Sequence, residues 1–495
     1  MVCGLGLIGC SDDDDDHRAP SCQDNDKDGY GNPASSTCTY LDLDCNDSDP
    51  LVHPGVTEVI GNGKDDDCNS STKDQGPLLE KALLYSQNFQ DFHSPAFGCS
   101  LEVDFDPDEE SLDILYHDQG DSTIWTGNYV AAESYRYAVT KDPQAKEFGL
   151  RSVECLLAME EVSGKPGFIA RWVGPAEPPF LVGDCNPEKD CHIITEGPYA
   201  GNYWKGNTSS DQYLGWWYGV SHAYEFLLES PADEPLRQRI RDAMSRVLNT
   251  LRSEDYLIID PDGTVSTAGP EIVGNEALAF HLVAADAVGG YYKDIMPTVY
   301  SEQAFNFMIL TWYPITRWYQ YYAFHLGHMA MHMMLRHEKD SSSLEFYRKM
   351  HRERLYTLIA HTEQVMFDYI AFGEMAVEQE PAILSADRQA LHAFPDPPKR
   401  RIQPAQGPFE YDPMVDTLNE IIDCLEELLG SDIGNVGPQA KDPFPIEERC
   451  VSGFRWQTRP YEICGGSDPA FEYPGEDYLI AYWLGRYYGF IDATD

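Results

Sequence analysis

Two groups of residues in this chain have types and spacings that could do chemistry. The first lies in CQDNDKDGYG (Cys22 to Gly31), where Asp24, Asp26 and Asp28 alternate and are followed by Gly29. That is the spacing by which a tight loop wraps hard oxygen donors around Ca2+, with Tyr30 placed to add a backbone carbonyl. Ser35 stands where an EF-hand carries its bidentate Glu, so this loop is not an EF-hand. The missing charge is expected from the later acids Asp42, Asp44, Asp47 and Asp49, or Asp65, Asp66 and Asp67. The second group sets acids beside rings: Asp121 before STIWTGNY, Asp211 in SSDQYLGWWYG, and Asp477 in GEDYLIAYWLGRYYG. Two carboxylates on opposite walls of a cavity are what glycoside hydrolysis uses, one as acid and one as base or nucleophile. Trp125, Tyr129, Tyr213, Trp216 and Trp217 would present flat faces to pyranose rings. Farther on, SGFRWQTRPYE supplies Arg455, Trp456 and Arg459, a guanidinium clamp suited to a uronic-acid carboxylate. Asp121 and Asp211 also stand where helix N-caps and first-turn acids belong, so each has a purely structural alternative.

Other chemistries find less support. His325, His328 and His332 share one side of a helix in FHLGHMAMHMM, but no acid stands beside them and the methionines point to packing rather than zinc. The chain has no G-x-S-x-G, no Gly-rich phosphate loop and no H-E-x-x-H. Its formal charge of -48, from 83 acidic against 35 basic residues, repels phosphate backbones and argues against nucleic acid as a partner.

The elements that must position these residues are mostly helices. Helical periodicity predicts segments over 78–89, 122–140, 143–162, 209–228, 234–252, 271–288, 302–312, 315–338, 342–372, 413–429 and 475–488, with one hairpin arm over 256–263 and little other strand. An aromatic-x-Gly-x-aromatic pattern recurs at Trp125–Gly127–Tyr129, Tyr213–Gly215–Trp217 and Trp483–Gly485–Tyr487. Glycine inside a helix costs about 1 kcal/mol against alanine, so close helix approach is the expected reason for it. A proline-bearing turn and a second helix follow the first two copies, which makes the unit a repeated helical hairpin. On that architecture, and on GDSTIWTGNYVAAESYRYAVT and GNTSSDQYLGWWYGVSHAYEF, residues 78–495 resemble the six-hairpin glycosidase group with its lyase and epimerase relatives. The resemblance implies a mainly α fold, an (α/α) toroid whose inner helices surround a cavity; an open helical solenoid is the alternative.

Residues 22–69 resemble the Asp/Cys-rich metal-binding motif of secreted bacterial proteins, through Asp24, Asp26, Asp28, Gly29, Gly31, Cys45, Asp47, Asp49, Pro50, Pro54, Gly55, Glu58, Asp65, Asp67 and Cys68. The resemblance implies calcium-type binding, and the all-oxygen donors argue against copper. Thirteen cysteines suit an oxidising compartment, with Cys185 and Cys191, and Cys450 and Cys464, as close-spaced pairs. Cys155 and Cys424 sit in helical patterns where a buried free thiol is expected. LIGC resembles a bacterial lipobox with Cys10 as the lipidated residue, although no Lys or Arg precedes it. The expected organisation is a leader and acidic tether at 1–21, a Ca2+ module at 22–69, a linker at 70–77 and the toroid at 78–495. The expected function is an exported, lipid-anchored protein that acts on or binds carbohydrate, as a glycoside hydrolase, a uronic-acid lyase or epimerase, or a non-catalytic adhesion protein.

Overall fold

The computed structural model describes residues 21–56, 65–69, 78–105, 114–117, 119–181, 184–272, 274–307, 318, 320–397, 407–429, 434–450, 453–464, 471–492 and 495. Cys10 and Glu58 lie outside them. The chain divides into two compact units, Met1–Pro77 and Leu78–Asp495.

The first unit is built of turns, with an isolated bridge between Gly31 and Leu43. Among its described residues only Val52 is a buried apolar side chain, so apolar burial contributes little to its fold. Disulfides Cys22–Cys38 and Cys45–Cys68 tie its loops instead.

The second unit is helical. Its helices are α1 (Leu78–Asn88), α2 (Ser122–Thr140), α3 (Pro143–Glu161), α4 (Ser210–His222), α5 (Glu234–Ser253), α6 (Gly274–Ala287), α7 (Tyr291–Asp294), α8 (Met296–Phe307), α9 (Tyr322–His337), α10 (Ser341–Met350), α11 (Val365–Gly373), α12 (Pro381–Ala393), α13 (Met414–Leu429) and α14 (Glu476–Tyr488). Burial sorts them into two layers. In α2 every residue from Ser122 to Arg136 is buried, and α4, α6, α11 and α14 are buried nearly all round. By contrast α5 buries only the stripe Ile240, Ala243, Met244, Val247, Leu248 and Leu251, and α10 buries only Tyr347. Helices apolar all round belong inside, and helices with one apolar stripe cover them.

The inner helices close a ring: α2 packs on α4, α4 on α6, α6 on α9, α9 on α11, α11 on α14, and α14 back on α2. Outside it, α3 lies against α2 and α4, α5 against α3 and α6, α8 against α6, α10 against α9, α12 against α11, and α1 against α14. This is the (α/α) toroid of six helical hairpins. The recurrent glycines explain the tightest contact. A Cβ on Gly127 would stand 1.9 Å from the Gly215 carbonyl oxygen, and one on Gly215 would stand 2.3 Å from the Ile124 backbone.

Three sequence expectations need correction. The helix expected over 342–372 is two helices, because the chain must turn from outer α10 to inner α11, and His361 and Glu363 take positive φ in the turn. Helix α12 was not foreseen. Nor were two antiparallel three-stranded sheets, β2-β1-β6 and β3-β5-β4, formed by β1 (Glu102–Phe105), β2 (Ile114–His117), β3 (Trp172–Pro175), β4 (Cys191–Ile193), β5 (Asn202–Lys205) and β6 (Phe471–Glu472). Strands this short carry too little alternation to register.

Candidate functional site

In the first unit, the loop backbone folds back onto its own carboxylates. Asp24 accepts from the amides of Lys27 (2.6 Å) and Gly29 (3.0 Å), Asp28 from Tyr30 (2.8 Å), and Asp44 from Asn46 (2.8 Å). Asp47 accepts twice from Asn25, at 2.7 Å each. These bonds aim the remaining oxygens at one another. Asp24, Asp26 and Asp28 bring ligand atoms within 4.8 Å of each other, as do Asp26, Asp44 and Asp47, and the two groups share Asp26. Asp26, Asp28 and Asp44 each leave Oδ2 buried with no hydrogen-bond partner, and Asp44 is completely buried. Burial, and then the neighbouring acids' charge, raise the pKa values of Asp26 and Asp44. Orphaned carboxylate oxygens converging in one place fit a hard, oxygen-seeking cation.

Other expected ligands sit differently. The Tyr30 ring stacks between Tyr40 (4.5 Å) and His53 (4.8 Å). Asp49 and Asp67 accept from nearby turn amides, and Asp65 has one buried, unbonded oxygen but joins neither group. Cys45 and Cys68 stand near Asp44, but their disulfide removes both sulfurs as ligands.

In the toroid, side-chain contacts fix the direction of the inner helices. Phe454 stacks on Trp125 (4.9 Å) near the start of α2 and on His325 (4.4 Å) near the start of α9. The next residue, Arg455, donates its amide to Asp477 Oδ2 (3.1 Å) at the start of α14. Gln212 in α4 accepts from the Ile124 amide with its side-chain oxygen (3.1 Å). The N-terminal ends of α2, α4, α9 and α14 therefore gather at one end of the ring. At the other end the Tyr135 hydroxyl lies 2.9 Å from His222, Tyr218 lies 2.8 Å and Tyr488 lies 3.0 Å from His332, and Tyr488 donates to Glu374 (2.6 Å). Burial holds the pKa values of both imidazoles well below 6.5, which leaves them neutral. This second end is a packed polar plug.

The mouth collects several expected residues. Asp121 immediately precedes α2, with its side chain 38% exposed. Its Oδ1 accepts from Gln212 Nε2 (2.9 Å) and Arg171 (3.2 Å). Arg171 is held in turn by the carbonyls of Gly120 and Asn207 and by Ser209 Oγ. Asp211 is half-buried one residue before Gln212 and accepts the Gln212 amide (3.0 Å). Asp121 is the N-cap residue of α2 but makes no side-chain cap bond, and the N-cap of α4 is Ser209. One glutamine side chain thus links the first turns of neighbouring inner helices that carry the two acids. Arg459 lines a groove of about 240 Å3 with Gln320, Tyr321, Tyr322, Gln457, Thr458 and Glu462.

Other expectations are overturned by packing. Tyr213 bonds the 167–169 backbone, Trp216 donates to the Leu156 carbonyl (2.7 Å) on α3, and Trp217 stacks on Phe280 (5.1 Å) of α6. Tyr129 stacks on Phe89 (3.5 Å). All four are buried between helices and offer a ligand no face. Trp125 does point into the ring, where Phe454 covers it. Asp477 is buried and engaged, accepting from the amides of Arg455 and Tyr478 while its carbonyl receives Trp456 Nε1 (2.7 Å). Arg455 donates to the Cys450 carbonyl (3.0 Å), so Arg455 and Trp456 anchor the loop closed by Cys450–Cys464 rather than a clamp. His325, His328 and His332 each serve different neighbours, and among the described residues the three-ligand groups lie only in the first unit. Cys155 is bonded to Cys99, and Cys424 is free but exposed. The pairs Cys185–Cys191 and Cys450–Cys464 form as expected.

Sequence reasoning missed Gln212 and Arg171, which position Asp121, and Phe454, which closes the ring. It also missed Glu476, buried beside Asp477 with Oε1 accepting from Ser100 (3.3 Å). The adjacent acid, directly before Asp477, was the available signal.

The family model Cu-binding MopE, described as "Putative metal-binding motif", matches residues 44–74, which include Asp44 and Asp47 but not Asp24, Asp26 or Asp28. No curated protein matches. Among solved structures the chain is similar to a single mutant (D468A) of a thermostable endoglucanase from Alicyclobacillus acidocaldarius, with 12% identity, 82% of this chain and 84% of that chain covered, and a TM-score of 0.41. It is also similar to the GH family 9 endoglucanase J30, with 13% identity, 84% of each chain covered and a TM-score of 0.40, and to a Zn-binding triple mutant of that enzyme, with 12% identity, 84% of each chain covered and a TM-score of 0.39.

Proposed function

We propose that the helical unit binds and hydrolyses a carbohydrate at the mouth of its ring, with Asp121 and Asp211 as the working carboxylates. The observation that carries this reading is Gln212, which contacts both acids from the first turn of α4. Arg171 and Gln212 hold the Asp121 carboxylate in place for the part of base. Asp211 then takes the acid's part: its proton passes to the glycosidic oxygen as the bond to the anomeric carbon breaks, and water adds to that carbon as it gives a proton to Asp121. Arg459 and the tyrosines of the neighbouring groove suit a uronic-acid unit, the substrate class of the lyase and epimerase alternative.

The first unit is proposed to hold Ca2+ through Asp24, Asp26, Asp28, Asp44 and Asp47, since these donors are all oxygen. Five disulfides support an exported protein, and Cys10 is the proposed lipid-anchor site.

Binding without turnover is the second reading. Phe454 favours it, because the ring wedged between Trp125 and His325 fills the entrance a buried substrate would use. Reducing-sugar release across a panel of neutral and uronic-acid glycans separates the readings. Release by the intact chain supports hydrolysis, an unsaturated product supports a lyase, and retention on a glycan array with neither supports binding alone.

A further inference from the structure

Four residues, Gly206 to Ser209, join β5 to α4 and so set where Asp211 enters the mouth. Among them Asn207 has a φ of +47°. Asn tolerates this left-handed conformation better than most side chains, but a turn built on it has to be held by its surroundings. What holds it is the arm expected over 256–263, which pairs with the chain after it through antiparallel bridges Leu257–Glu271 and Ile259–Val265. Asn207 Oδ1 accepts from the Thr267 amide (2.8 Å) and from Thr267 Oγ1 (3.1 Å), and the Asn207 amide donates to Asp260 Oδ1 (2.9 Å). The residues that follow are tied to the same hairpin. Ser266 Oγ donates to the Thr208 carbonyl (2.5 Å), and the Ser210 amide donates to the Gly269 carbonyl (3.0 Å).

On its other side the Asn207 carbonyl receives Arg171 Nε (2.8 Å). The same guanidinium donates to Asp121 Oδ1 (3.2 Å) and to Ser209 Oγ (2.8 Å), two residues before Asp211. We propose that Asn207 is a positioning residue for both working acids, holding Arg171 against Asp121 through its carbonyl and the turn into Asp211 through its side chain. This role rests on the hydrolysis proposed above. The Asn207 amide, carbonyl and Oδ1 are all engaged by the protein, so Asn207 acts through Arg171 and the turn rather than on the sugar. Glycine at this position would keep the left-handed backbone without strain but remove Oδ1, which releases the turn from the hairpin. Aspartate would keep an oxygen for the Thr267 donors. A displacement of about 1 Å at a working acid costs on the order of 100-fold in rate.

The test pairs kinetics of the full chain with phenylglyoxal labelling of accessible guanidinium groups, read at Arg171 by peptide mass spectrometry. In the parent Arg171 is held by four bonds and its side chain is 15% exposed, so it should label slowly. Asn207→Gly should label Arg171 several-fold faster. On a glycan that the parent cleaves, the same variant should lower kcat about 10- to 100-fold with KM within about twofold. Asn207→Asp should match the parent in labelling and in kcat. Labelling of Asn207→Gly at the parent's rate overturns the proposal. So does a raised KM at unchanged kcat, which would put Asn207 on the substrate. A parent that cleaves no glycan defeats the hydrolysis reading alone, and labelling then still decides whether Asn207 holds Arg171 in place.

Discussion

Replacing Asp387 with Asn should make the helical unit far less sensitive to pH between about 4 and about 7. Asp368 on α11 and Asp387 on α12 are completely buried, and their carboxyl oxygens, like the nearby Tyr356 hydroxyl, have no hydrogen-bond partner within normal distance. Burial pushes Asp368 from 3.8 up to about 7. Burial, and then the charge of Asp368, hold Asp387 well above its usual range. The sign follows from the shift. Below about pH 4 folded and unfolded chains are both protonated here, and the pair carries no pH-dependent cost. As the pH rises the unfolded chain releases two protons that the folded pair retains, so stability falls. Each retained proton is worth about 1.4 kcal/mol per pH unit, or about 4 kcal/mol over three units. Asp387→Asn removes one of them. The stability of the variant relative to the parent should therefore grow by about 4 kcal/mol from pH 4 to pH 7. Urea unfolding followed by tryptophan fluorescence measures it, and all nine tryptophans lie beyond residue 78, so the signal reports the helical unit. Parallel curves, with the difference changing by less than about 1 kcal/mol, would refute the account in which the folded chain keeps these protons.

Three other outcomes are expected. Gly127→Ala should lower stability by about 1–3 kcal/mol despite alanine's better helix propensity, because its methyl meets the Gly215 carbonyl; an unchanged melting temperature would contradict the close crossing of α2 and α4. Chelating calcium should expose residues 22–69 to protease, and Asp44→Asn should weaken calcium binding measured by calorimetry; unchanged digestion would remove the cation from the unit's fold. Phe454→Ala should cost about 3–5 kcal/mol and make the Trp125 face quenchable by acrylamide, whereas unaltered quenching would show that Phe454 does not cover it.

How much could be read from the chain differs by level. Helices α2, α3, α5 and α14 follow from periodicity and punctuation, since each has whole turns of pattern and clear ends. The glycine-centred repeat pointed correctly to close helix contact, but it misled about the rings beside it. A tryptophan on an inner helix has the same sequence signature whether it faces the cavity or the outer layer. Only the neighbours decide, and for Trp216 and Trp217 these are α3 and α6. Local acid spacing revealed the first-unit cluster because its donors lie close in the chain. Asp368 and Asp387 meet across two helices, and Phe454 reaches Trp125 across more than three hundred residues, so no local pattern announced either contact. The 381–393 helix was missed where Pro381 opens it and only Ile383, Asp387, Ala390 and Leu391 are buried.

The account rests on the two acids held by Gln212, and alanine substitution reads them directly. Against a glycan that the parent chain cleaves, Asp121→Ala and Asp211→Ala should each lose about 10^2- to 10^4-fold in reducing-sugar release while keeping the parent's melting temperature. A parent inactive on every glycan, or variants that cleave as fast as the parent, would contradict the proposed hydrolysis.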